Sequence, residues 1–322
     1  MSTLLKQINT RLLAAQHVLL VPHQNSDGDT LGALTSLLQY LTEKQIPVSA
    51  FCATAVPSKL RYLPGTEKIS TDPAIWRDKT VDVVVVFDSG DLTYAGVAEH
   101  IAKRREHIFL INIDHHFTNT RYGDLNLVIP TASSTAEIMH SFFYLNHLPL
   151  TPIISTCLLT GLITDTDHFT NAATSKTALF AGSNLLTHGG HLGRINQAVL
   201  NNKSSAALGL WGRALTRLTL NPTADIVFTY VTKKDLAELA STDSDIEGIA
   251  NYLNNVNEGR AALILKELPD GKVKGSWRTT RDDTDVSAWA KALGGGGHKK
   301  AAGFTVDGPI AAALELIWKT IL

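Results

Sequence analysis

Cysteine and net charge are both scarce in this sequence, and each shortage excludes a class of protein. Among 322 residues only Cys52 and Cys157 are cysteines, too few for a disulfide framework or a four-thiolate zinc site. The formal net charge is -1, from 29 basic and 30 acidic residues, whereas proteins that coat long nucleic acids normally carry a basic excess. We expect a cytoplasmic protein that works in a reducing compartment.

Long hydrophobic runs are also missing. The most apolar stretch near the N-terminus, 12–21, is interrupted by Gln16 and His17, and the longest run elsewhere is only 83–87. A membrane-spanning helix needs about 20 apolar residues, and no small-residue cleavage site follows the first stretch. We therefore expect no membrane association and no targeting segment. The 44% hydrophobic and 18% charged residues are typical of a folded chain of about two domains.

Strand-like and helix-like segments alternate in the first half, which favours an α/β fold with a mostly parallel sheet flanked by helices. The expected strands are 17–21, 47–51, 81–87 and 108–113. The expected helices are 30–44, 94–105, 134–146 and 152–165. Ser134 and Glu137 have the spacing of a capping box, in which each side chain bonds the other's backbone N–H at the helix start.

The second half predicts a helical stretch and then a smaller α/β domain. Residues 176–220 are mostly helical in pattern, and alternation resumes with strands at 225–231, 260–265 and 273–277 and helices at 286–293 and from about Pro309. We expect a catalytic domain over 1–187, a helical connector over 188–222 and a second domain over 223–322.

Aspartates and histidines cluster where the predicted strands end. The clusters are His23, Asp27 and Asp29 after the first strand, Asp88 after the third, Asp114, His115 and His116 after the fourth, and Asp165, Asp167 and His168 at a helix end. In open α/β sheets, ligands bind in the crevice beyond the carboxyl ends of the strands. Four separate segments would therefore meet at one place.

Each cluster has a plainer interpretation when taken alone. Asp27-Gly-Asp29 is also typical of a solvated turn, and His23 could be a structural histidine. A calcium loop is excluded because Leu31 stands where that pattern needs an oxygen ligand. Together, however, these groups would repel one another and lose hydration unless a cation neutralised them. The joint pattern favours a metal site.

The mixture of ligands indicates the kind of metal. Carboxylates with a few imidazoles and no thiolate suit Mn²⁺, or Mg²⁺, Fe²⁺ or Co²⁺, better than structural zinc. Four or more carboxylates exceed what one divalent ion needs. Two ions about 3.5–4 Å apart are the arrangement of many phosphoester hydrolases, so phosphoester chemistry is the leading expectation.

The motifs, taken in order, resemble those of the DHH phosphoesterase superfamily, in particular its short two-domain members, the nanoRNases and pAp phosphatases related to RecJ exonucleases. The motifs are His23-Gln-Asn-Ser-Asp27-Gly-Asp29, Phe87-Asp88-Ser-Gly-Asp91, Asp114-His115-His116, Gly161-Leu-Ile-Thr-Asp165 and the C-terminal run Gly294 to Gly303. The resemblance covers nearly the whole chain.

The resemblance implies a role for each motif residue. One ion would be held by His23, Asp27 and Asp88, and the second by Asp29, Asp88, His115 and Asp165. Asp88 would bridge the ions, and a water between them would attack phosphorus in line. His116 would contact the phosphate or stabilise its developing charge, while Asp114 would orient an imidazole.

The resemblance also implies a substrate site in the second domain. There Arg278, Gly296, Gly297 and His298 would bind a terminal phosphate or sugar across a cleft between the domains. Taken alone, four consecutive glycines are typical of a flexible hinge, and no Walker loop is present. Arg281, Lys299 and Lys300 are weaker candidates.

The expected activity is hydrolysis, with two Mn²⁺ ions, of short oligonucleotides to mononucleotides or of 3′,5′-bisphosphonucleotides such as pAp. Mg²⁺ or Co²⁺ could substitute, and a homodimer is an open alternative to a monomer. Three other functions stay open: a cyclic or linear dinucleotide phosphodiesterase, a manganese inorganic pyrophosphatase, and a non-catalytic nucleotide sensor. Asp167, where many family members have glycine, and His168 have no assigned role.

Overall fold

The computed structural model describes residues 2–199, 203–246 and 248–322. The chain forms two compact units, Met1–Asn202 and Lys203–Leu322, so the division falls inside the stretch predicted as a connector. Within the described residues, no helix combines the length and the apolar character needed to cross a membrane.

A six-stranded parallel sheet forms the centre of the first unit. Its strands are β1 (Val18–Pro22), β2 (Val48–Phe51), β3 (Ile69–Ser70), β4 (Val83–Phe87), β5 (Phe109–Asp114) and β6 (Leu125–Val128). In space they lie in the order β3-β2-β1-β4-β5-β6, and every neighbouring pair is parallel. The chain runs outward from β1 to one edge and from β4 to the other, which opens a crevice at the carboxyl ends of β1 and β4.

Helices cover both faces of this sheet. They are α1 (Ser2–Leu13), α2 (Gly28–Glu43), α3 (Ala98–Arg104), α4 (Thr135–Leu145), α5 (Pro152–Asp165), α6 (Lys176–Thr187) and α7 (Leu192–Val199). Val83 and Val85 of β4 pack in the core with α1, α2, α4 and α5, whereas Val84 and Val86 pack in a second core with Ile101 of α3. Because successive strand side chains point to opposite faces, a strand covered on both sides is apolar throughout.

Two local expectations for this unit are wrong in detail. Helix α3 begins at Ala98 and not at Tyr94, because the Asp91 carboxylate accepts N–H bonds from Thr93 and Tyr94 at 2.8 and 2.7 Å and holds them in a turn. The predicted capping box forms only in part.

In the capping box, one of the two predicted interactions forms, and the other involves Ser133 in place of Ser134. Ser134 Oγ accepts the N–H of Glu137 at 3.0 Å, as expected. The Glu137 carboxylate, however, accepts bonds from the backbone N–H and the hydroxyl of Ser133, at 2.8 and 2.7 Å. The start of α4 is thus stabilised by two consecutive serines.

The second unit is a mixed sheet between helices. Its elements are α8 (Ser205–Thr216), β7 (Thr219–Asn221), β8 (Ile226–Val231), α9 (Lys233–Glu238), α10 (Ile249–Tyr252), β9 (Ala261–Glu267), β10 (Lys272–Arg278), α11 (Val286–Ala292), β11 (Gly296–His298), β12 (Ala301–Asp307) and α12 (Ile310–Ile321). The strands lie in the order β11-β12-β10-β9-β8-β7. One face packs on α11 and α12 around Trp277 and Phe304, and the other packs on α8 and α10. The mixed α/β fold predicted for both parts of the chain is confirmed, although 219–220, at the end of the stretch expected to be mostly helical, belong to strand β7.

Candidate metal centre

The loops that carry the aspartates and histidines begin at the same level of the first sheet. Pro22 at the end of β1 lies opposite Phe87 at the end of β4, and Phe87 lies opposite Ile113 in β5. Because the three strands are parallel neighbours, the residues after them lie side by side at the carboxyl edge. This register brings distant motifs together.

A first group of potential metal ligands consists of His23, Asp27 and Asp88. His23 Nε2 lies 3.7 Å from Asp27 Oδ1 and 3.6 Å from Asp88 Oδ2. His23 Nδ1 lies 2.8 Å from the carbonyl oxygen of Gln24, so we assign the ring proton to Nδ1. That tautomer leaves the lone pair of Nε2 directed at the two carboxylates, as a metal ligand requires.

The surroundings of His23 favour a positive charge at this point. Burial of the ring lowers its pKa, but the nearby carboxylates of Asp27 and Asp88 outweigh burial and raise the pKa to about 11. With protein groups alone, the imidazole would therefore carry a proton that balances the carboxylates. A divalent cation would take over that role and leave the imidazole neutral.

A second group consists of Asp29, His115 and Asp165. His115 Nε2 lies 3.5 Å from Asp165 Oδ2 and also 3.5 Å from Asp88 Oδ1. The two oxygens of Asp88 thus face different histidines, Oδ2 toward His23 and Oδ1 toward His115. Asp88 is a member of the first group and of a third one, with His115 and His116, and His115 links that third group to the second.

Asp29 is fixed by the start of α4. Its side chain is buried, and its two oxygens accept the backbone N–H groups of Thr135 and Ala136 at 2.6 and 2.8 Å. Unpaired N–H groups at a helix N-terminus stabilise a carboxylate there. Gly161 of α5 makes the approach possible, since an added Cβ would lie 2.8 Å from Asp29 Oδ1.

The acids of this centre repel one another. Burial, followed by the charges of Asp88 and Asp165, raises the pKa of Asp29 well above its usual value. Burial and the charge of Asp88 raise the pKa of Asp165 to about 8. Oxygen and imidazole donors, with no thiolate in any of the groups, fit a hard divalent cation that would restore these carboxylates to the charged form.

His116 differs from the two other histidines because its Nδ1 is engaged. Nδ1 lies 2.8 Å from Asp114 Oδ1, and this bond raises the pKa of His116. Asp114 is completely buried; burial opposes its ionisation, but bonds from His116 and Asn119 lower its pKa. The ring of His116 is 38% exposed and its Nδ1 lies 3.6 Å from Asp88 Oδ1, while Nε2 is the nitrogen that Asp114 leaves available.

The sequence did not single out Asn119 or Thr135, yet both support the centre. Asn119 Nδ2 donates to Asp114 Oδ2 at 2.6 Å and to the carbonyl oxygen of Ser89 at 3.0 Å. Thr135 Oγ1 donates to Asp88 Oδ1 at 3.1 Å. The only sequence signal for either residue is its position: Asn119 comes three residues after His116, and Thr135 directly follows Ser134, the predicted cap of α4.

Asp167 lies outside all three ligand groups found among the described residues. Its side chain is 68% exposed, and Asp167, His168 and Phe169 all have positive φ angles, of 47°, 60° and 61°. The left-handed backbone turns the chain away after α5 ends. Asp165, and not Asp167, therefore faces the other acids.

The substrate-site residues predicted in the second unit share one edge of its sheet. Arg278 lies opposite Ala301 in the β10–β12 pair, and Ala301 lies opposite His298 in the β11–β12 pair, so Arg278 and His298 flank the same residue. Gly296 and Gly297 belong to β11. The glycine run is therefore a strand in part, and a freely flexible hinge is the wrong description.

Close packing explains two of the four consecutive glycines, whereas a Cβ on Gly294 or Gly296 would meet nothing within 4 Å. A Cβ on Gly297 would lie 2.6 Å from the carbonyl oxygen of Ala301, and one on Gly295 would lie 2.1 Å from that of Gly303. Arg278 Nε donates to Asn251 Oδ1 at 2.8 Å. Lys300 donates to Asp282 at 2.8 Å, which makes it an ion-pair partner at the surface.

Comparison with known proteins agrees with this architecture. Residues 17–162 match the DHH family, N-terminal domain, and residues 226–321 match the DHHA1 domain. The bifunctional oligoribonuclease and PAP phosphatase NrnA of Thermus thermophilus is 29% identical, over 90% of this chain and 84% of its own. The probable bifunctional oligoribonuclease and PAP phosphatase NrnA of Streptococcus mutans is 25% identical, over 94% of this chain and 93% of its own.

A solved structure shows the same fold. The crystal structure of an exopolyphosphatase-related protein from Bacteroides fragilis has a TM-score of 0.90 to this chain at 22% identity, and covers 100% of this chain and 96% of its own. The resemblance inferred from the motifs is thus confirmed by two domain matches in the expected order. The chain belongs to the DHH family of phosphoesterases and joins its N-terminal domain to a DHHA1 domain.

Proposed function

We propose that this protein is a two-metal phosphoesterase that releases mononucleotides from short oligonucleotides and removes phosphate from 3′,5′-bisphosphonucleotides such as pAp. The observation that carries the proposal is the position of Asp88, whose two oxygens lie 3.6 Å from His23 and 3.5 Å from His115. A carboxylate shared by two ligand groups is what a two-metal site requires. The substrate class comes from the names of the relatives in Thermus thermophilus and Streptococcus mutans.

Mn²⁺ is the ion we propose, with Mg²⁺ or Co²⁺ as substitutes. One ion would be held by His23, Asp27 and Asp88, and the other by Asp29, Asp88, His115 and Asp165. When bound, such ions supply Lewis-acid activation of the phosphoryl group and of water.

The protein's own groups would bind and orient the substrate. His116, kept protonated by Asp114, would donate from Nε2 to a phosphate oxygen and stabilise the charge that develops there. Asn119 would hold Asp114, and therefore the ring of His116, in place. Arg278 and His298 of the second unit would bind the terminal phosphate or the sugar, with the backbone of Gly296 and Gly297 beside them.

A substrate panel tests this function. Metal-stripped protein is given Mn²⁺ or Mg²⁺ and assayed with pAp, pApA, cyclic di-AMP, pyrophosphate and RNA of two to five nucleotides labelled at either end. We expect hydrolysis of pAp and of the short RNA, and the labelled ends report the direction of degradation. If no phosphoester of the panel is cleaved, the proposal is wrong; cleavage of pyrophosphate alone favours the pyrophosphatase alternative.

Three variants test the ligand assignment. Asp88→Ala should abolish both Mn²⁺ binding and turnover, and retained activity would remove Asp88 from the mechanism. Asp165→Asn should weaken Mn²⁺ binding, whereas Asp167→Asn, two residues along and exposed, should leave binding and turnover unchanged. The homodimer stays a prediction, and light scattering on the same preparations distinguishes it from a monomer.

A further inference from the structure

Two exposed aromatic side chains follow the strands of the metal centre. Tyr94 lies on the segment between β4 and α3, and Phe117 comes directly after His116. Tyr94 is 50% exposed and Phe117 is 81% exposed, the highest value of any large hydrophobic side chain in the described part of the chain. Neither residue has a part in the site as described so far.

The ring of Tyr94 lies against a metal-ligand candidate. Its centroid is 5.1 Å from that of His23, with 31° between the ring planes. The side chain of His23 is only 5% exposed, so one side of the phenol contacts the buried imidazole while half of its surface faces water. The Tyr94 N–H, bonded to the Asp91 carboxylate at 2.7 Å, fixes the backbone at this point.

The segments that carry Tyr94 and Phe117 are bonded to each other. The N–H of Thr120 donates to the carbonyl oxygen of Gly90 at 2.9 Å. The carbonyl oxygen of Ser89 accepts bonds from Asn119 Nδ2 and from the hydroxyl of Tyr122, both at 3.0 Å. Both segments begin next to Asp88 or His116, so the two aromatic residues belong to one joined border of the metal centre.

Other exposed aromatic rings have ring partners. Tyr144 and Phe180 pack on each other with centroids 5.7 Å apart, and Tyr252 packs on Trp211, also at 5.7 Å. Among the described rings, none lies within stacking distance of Phe117. Single exposed hydrophobic side chains are common on protein surfaces, and it is the position of Phe117 beside the centre that makes its exposure informative.

We infer that Tyr94 and Phe117 bind the nucleobase of the substrate by stacking while its phosphate occupies the metal centre. The inference rests on the proposed function and narrows its substrates to phosphoesters that carry a base. Cations and His116 recognise phosphate whatever is attached to it, so preference for a nucleotide needs a separate contact. Every base has a π face, and aromatic stacking therefore selects bases as a class without selecting one of them.

Binding of two product-like ligands tests the inference without turnover. Titration calorimetry with Mn²⁺-loaded protein compares AMP with ribose 5-phosphate, which has the same phosphate and sugar but no base. We expect AMP to bind more tightly. In Tyr94→Leu and Phe117→Leu the affinity for AMP should fall about 5- to 150-fold, the range that stacking contacts give, with the affinity for ribose 5-phosphate unchanged.

Two further variants provide controls. Tyr94→Phe keeps the ring and should bind AMP as the wild type does. Tyr144→Leu removes a ring of equal exposure, 49%, that lies on α4 outside the site, and should leave both affinities unchanged. Circular dichroism confirms that each variant is folded.

Several results would overturn the inference. One is equal affinity of the wild type for AMP and ribose 5-phosphate, and another is no detectable AMP binding at millimolar concentration. A third is an equal fall in the affinity for both ligands in the leucine variants. If Tyr94→Leu lowers the affinity for Mn²⁺ as much as that for AMP, the ring supports His23 and does not bind a base. Failure of this inference can be distinguished from failure of the proposed function. Tighter binding of AMP than of ribose 5-phosphate, without hydrolysis of any substrate, would refute only the proposed activity. Hydrolysis with equal affinity for the two ligands would refute only the stacking.

Discussion

Replacement of Gly161 by alanine would test how the helices position the second ligand group. Gly161 lies in α5, one turn before Asp165. An added Cβ would lie 2.6 Å from Cβ of Ala136, 2.8 Å from Asp29 Oδ1 and 3.0 Å from Cα of Asp29. Backbone atoms and a β-carbon cannot rotate away as the end of a long side chain can. The helices themselves would have to move.

The size of the effect follows from these distances. Carbon atoms in contact prefer about 3.5–4.0 Å, so relief of the contacts requires a shift of roughly 1 Å. Overpacking of this kind costs about 1–3 kcal/mol, while alanine in a helix interior is about 1 kcal/mol more favourable than glycine. We expect the free energy of unfolding of the first unit to fall by up to about 2 kcal/mol.

A second consequence concerns the metal. A shift of α5 or α2 would move Asp29 relative to the N–H groups of Thr135 and Ala136, and Mn²⁺ binding should weaken. Calorimetric unfolding with and without Mn²⁺ measures both effects, because a ligand that binds only the folded state raises its stability. The stabilisation by Mn²⁺ should therefore be smaller in Gly161→Ala than in the wild type.

Gly193→Ala is the matched control. Gly193 lies in α7 of the same unit, and an added Cβ would meet only ring atoms of His191 at 3.9 Å, which is an ordinary contact. Its stability should equal that of the wild type or exceed it by no more than about 1 kcal/mol, the helix preference of alanine over glycine. If Gly161→Ala is as stable as this control and binds Mn²⁺ as tightly as the wild type, close packing of α5 on Asp29 does not position the ligands, and the reasoning is wrong.

Three other predictions concern single side chains. Arg278→Ala should mainly raise KM, because lost uniform binding of the substrate appears there, and an unchanged KM would argue against a substrate role. Asp114→Asn should lower kcat about 10- to 100-fold, as loss of an orienting partner typically does, with the metal content unchanged; loss of metal instead would make Asp114 part of the ligand set. Asp235 accepts hydrogen bonds from Arg217 at 2.9 Å and from Arg213 at 3.0 Å. The bond from Arg217 is the main cause that lowers the pKa of Asp235 below its value in the unfolded chain. The charged Asp235 therefore stabilises the fold above about pH 4, and this stabilisation is lost as the pH falls below that value. Asp235→Asn should lower the free energy of unfolding by about 2 kcal/mol at pH 7 and should lose less stability than the wild type when the pH is lowered. An acid-unfolding curve with the same slope as that of the wild type would contradict this prediction.

The sequence predicted the sheet of the first unit best where a strand is buried on both faces. Val83–Phe87 is a continuous apolar run because α/β packing covers both sides of β4. Helix α1 was missed, although Leu5, Ile8 and Leu12 lie on one helical face and are fully buried. β6 was also missed, since it is short and only one of its four residues is buried.

For the site, the sequence predicted which residues meet but not how each one is held. The motifs place His23, Asp88 and His115 after neighbouring strands, and parallel pairing then brings them together. His23 and His116 are held by neighbours in sequence, Gln24 and Asp114, but the free nitrogen of His115 depends on a distant partner, Ala132, whose carbonyl oxygen lies 3.4 Å from His115 Nδ1. Such partners come from tertiary packing, and no local pattern encodes them.

The charges around the centre support the proposed pair of ions over a single ion. Asp114 is bonded to His116 Nδ1 at 2.8 Å and lies outside the three ligand groups found among the described residues. Four carboxylates remain, those of Asp27, Asp29, Asp88 and Asp165, and as neutral ligands His23 and His115 add no charge. One divalent ion would leave two negative charges unbalanced beside the buried carboxylates of Asp29 and Asp88, at a high cost in desolvation. Two divalent ions balance all four, and the same carboxylates that raise one another's pKa in Asp29 and Asp165 would then be stable in the charged form at neutral pH.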